Sequence, residues 1–123
     1  MAANSEAEHG KADFMVLCSP CHGETGKGDG PAAAGLSRRP ANLTHIAKNH
    51  GGKFPDNLIF ETIEGLDMPS SHGTREMPVW GDVFIDEAVG NSVSLHVAKK
   101  AGMEVRQRIE ALVRYLKTIQ AAD

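Results

Sequence analysis

Two cysteines and a histidine stand together near the N-terminus of this 123-residue chain, and they constrain its fold more than any other feature. Cys18 and Cys21 are the only cysteines, and His22 directly follows the second. This spacing occurs in three kinds of site: a redox-active dithiol, half of a zinc site, and a covalent attachment site for haem. These three chemistries differ in what must surround the pair.

A redox-active dithiol is expected where a buried strand enters a helix, but residues 5–17 are predicted to be helical. A structural zinc site needs four ligands, and the chain has no second cysteine pair. Histidines would have to complete the site, although they lack the compact spacing of a zinc finger. The candidates are His45, His50, His72 and His96. Both interpretations are weaker than the third.

Covalent haem attachment accounts for all three residues of the motif at once. Two thiols three positions apart on one helical turn can add to the two vinyl groups of a porphyrin and form thioethers. The next residue then lies beneath the ring, where its imidazole can ligate iron. The motif predicts haem attachment through Cys18 and Cys21 and iron ligation by His22.

Composition and charge exclude several other classes of protein. The chain has 13 Lys plus Arg against 16 Asp plus Glu, so it lacks the basic charge of a nucleic-acid-binding protein. The pair Arg38-Arg39 is interpreted as solvated surface. No apolar run approaches the ~18 to 20 residues that cross a bilayer. The N-terminus does not look like a signal peptide, so we expect a mature chain. The length of the chain predicts one domain over residues 1–123.

Helical periodicity is strongest at the two ends of the chain. A capping box at Ser5 predicts the start of the first helix, and an apolar stripe over residues 105–119 predicts the last. Shorter helices are predicted over residues 42–49 and from Asp56 to a stop at Gly65. Residues 90–102 are ambiguous and are predicted to be a mostly helical insertion before the last helix.

The glycine-rich run over residues 23–30 invites comparison with a phosphate-binding loop. It lacks two residues of that motif, because Cys21 stands where a Gly is needed and Gly28 where a Ser or Thr is needed. We interpret the run as a flexible turn that leads the backbone to Pro31.

In this order along the chain, the motifs resemble those of the class I c-type cytochromes. Besides the cysteine motif, the resemblance rests on Gly10 and Phe14 near the start and on Leu112 and Tyr115 near the end. Between them lie Gly30-Pro31 and the segments 40–44 and 77–81. The resemblance implies an all-α, class I cytochrome c fold. In that fold the N- and C-terminal helices cross, and short helices and long loops wrap one haem.

The resemblance also implies further site residues. Met77 precedes a proline after a polar loop and is the implied distal iron ligand opposite His22. The Pro31 carbonyl is expected to accept the Nδ1 hydrogen of His22. Trp80 is expected to pack on the haem and to donate its indole N–H to a propionate. The competitors of Met77 are Met68 and His72.

A haem iron with both axial positions filled by protein has no open site for substrate, so its remaining chemistry is a change of oxidation state. We therefore predict a monohaem electron carrier rather than an enzyme. Its partners would be transiently bound redox proteins such as a dehydrogenase, reductase or oxidase. Haem attachment of this kind predicts a periplasmic location. The alternative is a haem protein with a labile sixth ligand that senses a gas or acts on a small ligand.

Overall fold

The computed structural model of the chain describes residues 2–65, 77–90 and 95–121. A π-helical turn at Phe14–Cys18 joins the first two helices, and no strand occurs in these ranges. The all-α prediction is confirmed. The described part of the chain contains α1 (Ala2–Asp13), α2 (Ser19–His22), α3 (Asp56–Glu64), α4 (Trp80–Val89) and α5 (Leu95–Thr118).

Helices α1 and α5 cross where α1 carries a glycine. A Cβ atom added to Gly10 would lie 2.0 Å from the carbonyl oxygen of Ala111, so only glycine allows this backbone approach. Beside the crossing, the rings of Phe14 and Tyr115 lie 5.2 Å apart between centroids, at an interplanar angle of 52°. The predicted crossing of the N- and C-terminal helices is confirmed, and it lies at Gly10. The prediction that Ser5 caps the first helix is wrong, because α1 begins at Ala2.

The core is built around α5, whose apolar face packs against the other long helices. Phe14, Phe84, Ile109 and Leu112 are at most 1% exposed, and they come from α4, α5 and the π-helical turn. Trp80 stacks on Phe84 with 5.9 Å between ring centroids. The core therefore fixes the start of α4, which lies close to Met77 in the sequence.

One arginine links three helices at the edge of this core. Arg108 of α5 donates to Asp13 of α1 at 2.8 Å and to Glu87 of α4 at 2.5 Å. Its guanidinium lies 3.9 Å from the centroid of the Phe84 ring. A charge held by two carboxylates and an aromatic face resists displacement, so this contact holds α1, α4 and α5 together.

The shorter elements differ from prediction in detail. Residues 42–49 form two 3₁₀ turns, Leu43–His45 and Lys48–His50, instead of one helix. Helix α3 ends at Gly65 in the left-handed conformation, as predicted. Residues 95–102 are the first turns of α5 rather than a separate element before the last helix, since α5 begins at Leu95. That residues 90–102 are an insertion stays a prediction.

In the described ranges, no helix is long and apolar enough to span a bilayer.

Candidate haem site

A cavity of about 880 Å³ opens between the π-helical turn, α3, α5 and the loop over residues 35–41. Ligand sites in proteins span ~300 to 1,000 Å³, and protein interiors are otherwise close-packed. Cys18, Cys21, His22, Met77 and Trp80 all line this cavity. Most of the remaining wall is apolar, from Phe14, Leu17, Leu36, Leu43, Ile46, Ile59, Ile63, Leu112 and Leu116. The cavity brings together five of the six site residues predicted from the sequence.

The cysteine motif lies on two short helical segments that turn it toward the cavity. Cys18 ends the π-helical turn and Cys21 lies in α2, with neither in a disulfide. The hydroxyl of Ser19 donates to the Met15 carbonyl oxygen at 2.5 Å, which ties the start of α2 to the preceding turn. A π-helical turn changes the direction of the side chains that follow it. The sequence pattern did not predict this turn.

The loop after α2 covers the C-terminal end of that helix with hydrogen bonds. The Gly28 amide donates to the His22 carbonyl at 2.7 Å, and the Gly30 amide donates to the Cys21 carbonyl at 3.0 Å. The carbonyls of Pro20 and Ser19 are likewise bonded, by the amides of Ala32 and Gly23. All four carbonyls of this four-residue helix therefore have partners, which a helix end otherwise lacks.

The glycines of this loop allow close packing. A Cβ atom on Gly28 would lie 2.4 Å from the Pro40 carbonyl oxygen, and one on Gly30 would lie 2.3 Å from that of Pro20. The Leu43 amide donates to the Gly26 carbonyl at 2.6 Å. The predicted turn is present over residues 23–30, and it is held on one side by α2 and on the other by the segment 40–43.

His22 is oriented by a backbone carbonyl from that segment. Its Nδ1 atom lies 3.0 Å from the carbonyl oxygen of Ala41. A carbonyl only accepts, so Nδ1 carries the hydrogen and the neutral ring keeps the Nε2 lone pair free for a metal. Burial lowers the pKa of His22 and outweighs the bond to Ala41, which raises it. The ring is therefore in the neutral form that ligates iron.

The Pro31 carbonyl does not have the predicted role. Pro31 is exposed and does not line the cavity, and Ala41 provides the acceptor for His22. The predicted Pro31 contact is therefore wrong. The signal in the sequence was Asn42, whose side chain accepts from the Thr44 amide at 3.0 Å and caps the turn that follows. This cap fixes the peptide that carries the Ala41 carbonyl.

The C-terminal tail forms hydrogen bonds with residues 43–47, which lie just after Ala41 in the chain. The Gln120 side chain accepts from the Ala47 amide at 2.9 Å and donates to the Leu43 carbonyl at 2.7 Å. The Ala121 amide donates to the Thr44 carbonyl at 2.8 Å. The tail therefore fixes the segment on which the orientation of His22 depends, and no local pattern in the sequence indicates these contacts.

The environment of Cys18 differs from that of a redox-active cysteine. Burial raises its pKa to about 12, with smaller contributions from the nearby Asp13 and Cys21. A redox-active cysteine requires the opposite shift, because only the thiolate attacks a disulfide.

The zinc interpretation gains no support from the geometry either. In the part of the chain that the structure describes, no three His, Cys, Asp or Glu side chains are grouped to hold a metal ion. His45 and His50 lie on the 3₁₀ turns, and only His22 of the histidines lines the cavity in these ranges.

Met77 is half-buried and lines the same cavity as His22, as two ligands of one iron must. Trp80 is buried at the start of α4, in the same wall. Their roles as distal ligand and propionate partner stay predictions. Met68 and His72 lie outside the described residues. The set of two thiols, an imidazole with a free Nε2, a thioether and an apolar wall fits haem in size and in chemistry.

Comparison with protein families supports this interpretation independently. Residues 5–59 match the family described as cytochrome C oxidase, cbb3-type, subunit III. The matched range contains the cysteine motif, the glycine loop and Ala41, whereas Met77 and Trp80 lie beyond it. The match agrees with the resemblance to c-type cytochromes described above, a family whose cofactor is haem c. Comparisons with curated proteins and with solved structures gave no match.

Proposed function

We propose that this chain, a class I c-type cytochrome, carries single electrons between redox proteins through one covalently attached haem. In this proposal Cys18 and Cys21 hold the haem by thioether bonds, and His22 and Met77 ligate its iron. The observation that carries the proposal is the one cavity shared by these four side chains. Haem supplies a reversible one-electron change at iron.

The contribution of the chain itself is to hold the ligands still. The Ala41 carbonyl keeps the Nδ1 hydrogen of His22 in place, and this raises the basicity of the iron-facing nitrogen. The hydrogen-bonded loop over residues 23–32 fixes the end of α2. A rigid site changes little between oxidation states, which suits an electron carrier.

The apolar wall of the cavity has a second effect. Phe14, Leu112 and Leu116 exclude water from one side of the site, and low polarity disfavours the more highly charged ferric state. Ligation by a thioether sulfur acts in the same direction. Both effects favour a higher potential than two imidazoles in a polar site would give.

We propose transient redox proteins as partners and the periplasm as the location. The family description names an oxidase subunit, which supports an oxidase among the candidate partners named above. The expected docking surface lies beside the cysteine motif, bordered by residues 26–30 and by the Met77 loop. Small interfaces of this kind permit rapid exchange of partners.

A redox titration combined with carbon monoxide distinguishes the carrier from the alternative. The carrier predicts one reversible one-electron wave and a ferrous spectrum that carbon monoxide leaves unchanged at neutral pH. A ferrous spectrum that shifts at once on addition of carbon monoxide would favour the gas-binding protein with a labile sixth ligand.

A further inference from the structure

The side chain of Gln120, two residues beyond the end of α5, uses both ends of its carboxamide. Its Oε1 atom accepts from the Ala47 amide at 2.9 Å. Its Nε2 atom donates to the Leu43 carbonyl at 2.7 Å and to the Leu116 carbonyl at 2.8 Å. An amide donates and a carbonyl accepts, so these three partners leave one orientation for the carboxamide.

Two of these partners belong to different parts of the cavity wall. Leu43 lies on the first 3₁₀ turn after Ala41, Leu116 lies in α5, and the side chains of both leucines line the cavity. The segment 43–47 also contributes Ile46 to the wall. One carboxamide therefore joins the end of α5 to the segment that follows Ala41, at the wall of the haem cavity.

The residues before and after this glutamine contact the same region. The Ala121 amide donates to the Thr44 carbonyl at 2.8 Å. A Cβ atom on Gly26 would lie 3.1 Å from the Cδ1 atom of Ile119, so this isoleucine packs against the glycine loop. The tail therefore reaches both supports of the Ala41 carbonyl, which are the glycine loop and the capped turn.

We propose that Gln120 is a positioning residue for His22 as an iron ligand, an inference that rests on the proposed function. The Nδ1 atom of His22 bonds to the Ala41 carbonyl, whose position depends on the turn that follows. By holding Leu43, Gln120 keeps that carbonyl in line with the imidazole. The strength of this bond sets the basicity of the iron-facing nitrogen and, through it, the potential of the iron.

The chemistry of this position requires a glutamine. A glutamate has the same size and keeps an acceptor for the Ala47 amide, but at neutral pH it has no hydrogen for the carbonyls of Leu43 and Leu116. Its carboxylate would face two carbonyl oxygens, which repel it. Gln120→Glu and Gln120→Ala should therefore both release the segment, the first without a change in side-chain size.

The test uses the purified holoprotein and these two variants. Thr118→Val is the matched control, because the Thr118 hydroxyl donates to the Tyr115 carbonyl at 2.6 Å, a bond within α5. It removes one hydrogen bond from the same helix end at nearly constant shape. The first measurement is the rate at which the His22 Nδ1 proton exchanges with solvent, by NMR of the ferrous protein. The second is the midpoint potential.

We expect about tenfold faster exchange of the His22 Nδ1 proton in both Gln120 variants, because the lost bonds let the segment open more often. We also expect a higher midpoint potential. A weaker bond at Nδ1 makes the opposite nitrogen a poorer donor, which stabilises ferric iron less. Thr118→Val should lower the free energy of unfolding and leave both measurements at their wild-type values.

Two outcomes would overturn the proposal. In one, the Gln120 variants lose stability but keep the exchange rate and the potential of the wild type, which would make the contact purely structural. In the other, the potential falls while the exchange rate is unchanged, which would mean that the variants admit water to the cavity without releasing His22. Either result would leave the proposed function intact, because that function is tested by haem attachment and by the redox wave of the wild-type protein.

Discussion

The Nδ1 atom of His22 lies 3.0 Å from the carbonyl oxygen of Ala41, nineteen positions along the chain. Two supports fix this carbonyl, the cap that Asn42 makes on the next turn and the packing of Gly28 against Pro40. The orientation of the imidazole is therefore set by the glycine loop and the segment 40–43 together.

The role of this segment is tested by replacing its cap. Asn42→Ala removes the side chain that accepts from the amide and the hydroxyl of Thr44, and should cost about 1 kcal/mol in the free energy of unfolding. It should also shift the His22 Nδ1 proton in NMR spectra of the ferrous protein. Pro31→Ala is the control and should leave this proton unchanged. A shift with Pro31→Ala alone would restore the Pro31 contact.

The helix crossing gives a prediction about stability with an unusually close control. Gly10→Ala places a methyl group against the Ala111 backbone and should lower the free energy of unfolding by about 2 kcal/mol or more. Gly102→Ala, on the exposed side of α5, meets no atom within 4 Å. It should raise the free energy of unfolding by up to ~1 kcal/mol, because alanine favours helix. Denaturant unfolding of both holoproteins measures the pair, and equal effects would contradict the crossing.

Tyr115 gives a pH dependence that can be isolated, since it is the only tyrosine. Burial raises its pKa above the ordinary value of 10.0. Above that pH the unfolded chain loses the phenol proton while the folded protein keeps it, so the free energy of unfolding falls as pH rises. Below it, Tyr115 contributes no pH dependence. The fall from about pH 9 to about pH 11 should be smaller in Tyr115→Phe than in the wild type. Equal slopes would contradict the burial of this phenol.

Local signals in the sequence predicted the parts of the fold that depend on short-range chemistry. The stop at Gly65, the close approach at Gly10 and the cysteine motif each follow from a residue whose backbone or side chain allows few alternatives. The rest depends on contacts between distant segments. The spacing of Glu104 and Arg108 along the helix, for example, favours a local ion pair, but Arg108 binds Asp13 and Glu87 from other helices. No periodicity in the sequence contains that information.

In the candidate haem site too, local sequence signals predicted some residues, whereas others depend on contacts between distant segments. The sequence motif located Cys18 and His22 because thioether attachment and iron ligation require these residue types at this spacing. The acceptor for His22 depends on how the glycine loop packs against residues 40–43, and the sequence alone does not identify Ala41. Arg38 likewise lines the cavity because of tertiary packing, and charge alone could not have separated it from ordinary surface.

Ligation by Met77 is tested by its own removal. Met77→Ala should abolish the weak near-infrared sulfur-to-iron absorption of the ferric protein, lower the midpoint potential and allow carbon monoxide to bind the ferrous form. Met103→Ala is the control, because Met103 is exposed on α5 and away from the cavity. Survival of the near-infrared band in Met77→Ala and its loss in Met68→Ala would move the ligand to Met68.

Covalent attachment of haem to Cys18 and Cys21 is the central claim, and mass spectrometry of the denatured protein tests it most directly. The chain would be produced with the cytochrome maturation machinery of a bacterial host. The account predicts a polypeptide heavier than its sequence by one haem, and thioether bonds at both cysteines in the haem-bearing peptide. A polypeptide at its bare sequence mass, produced under conditions that load a control cytochrome, would contradict it.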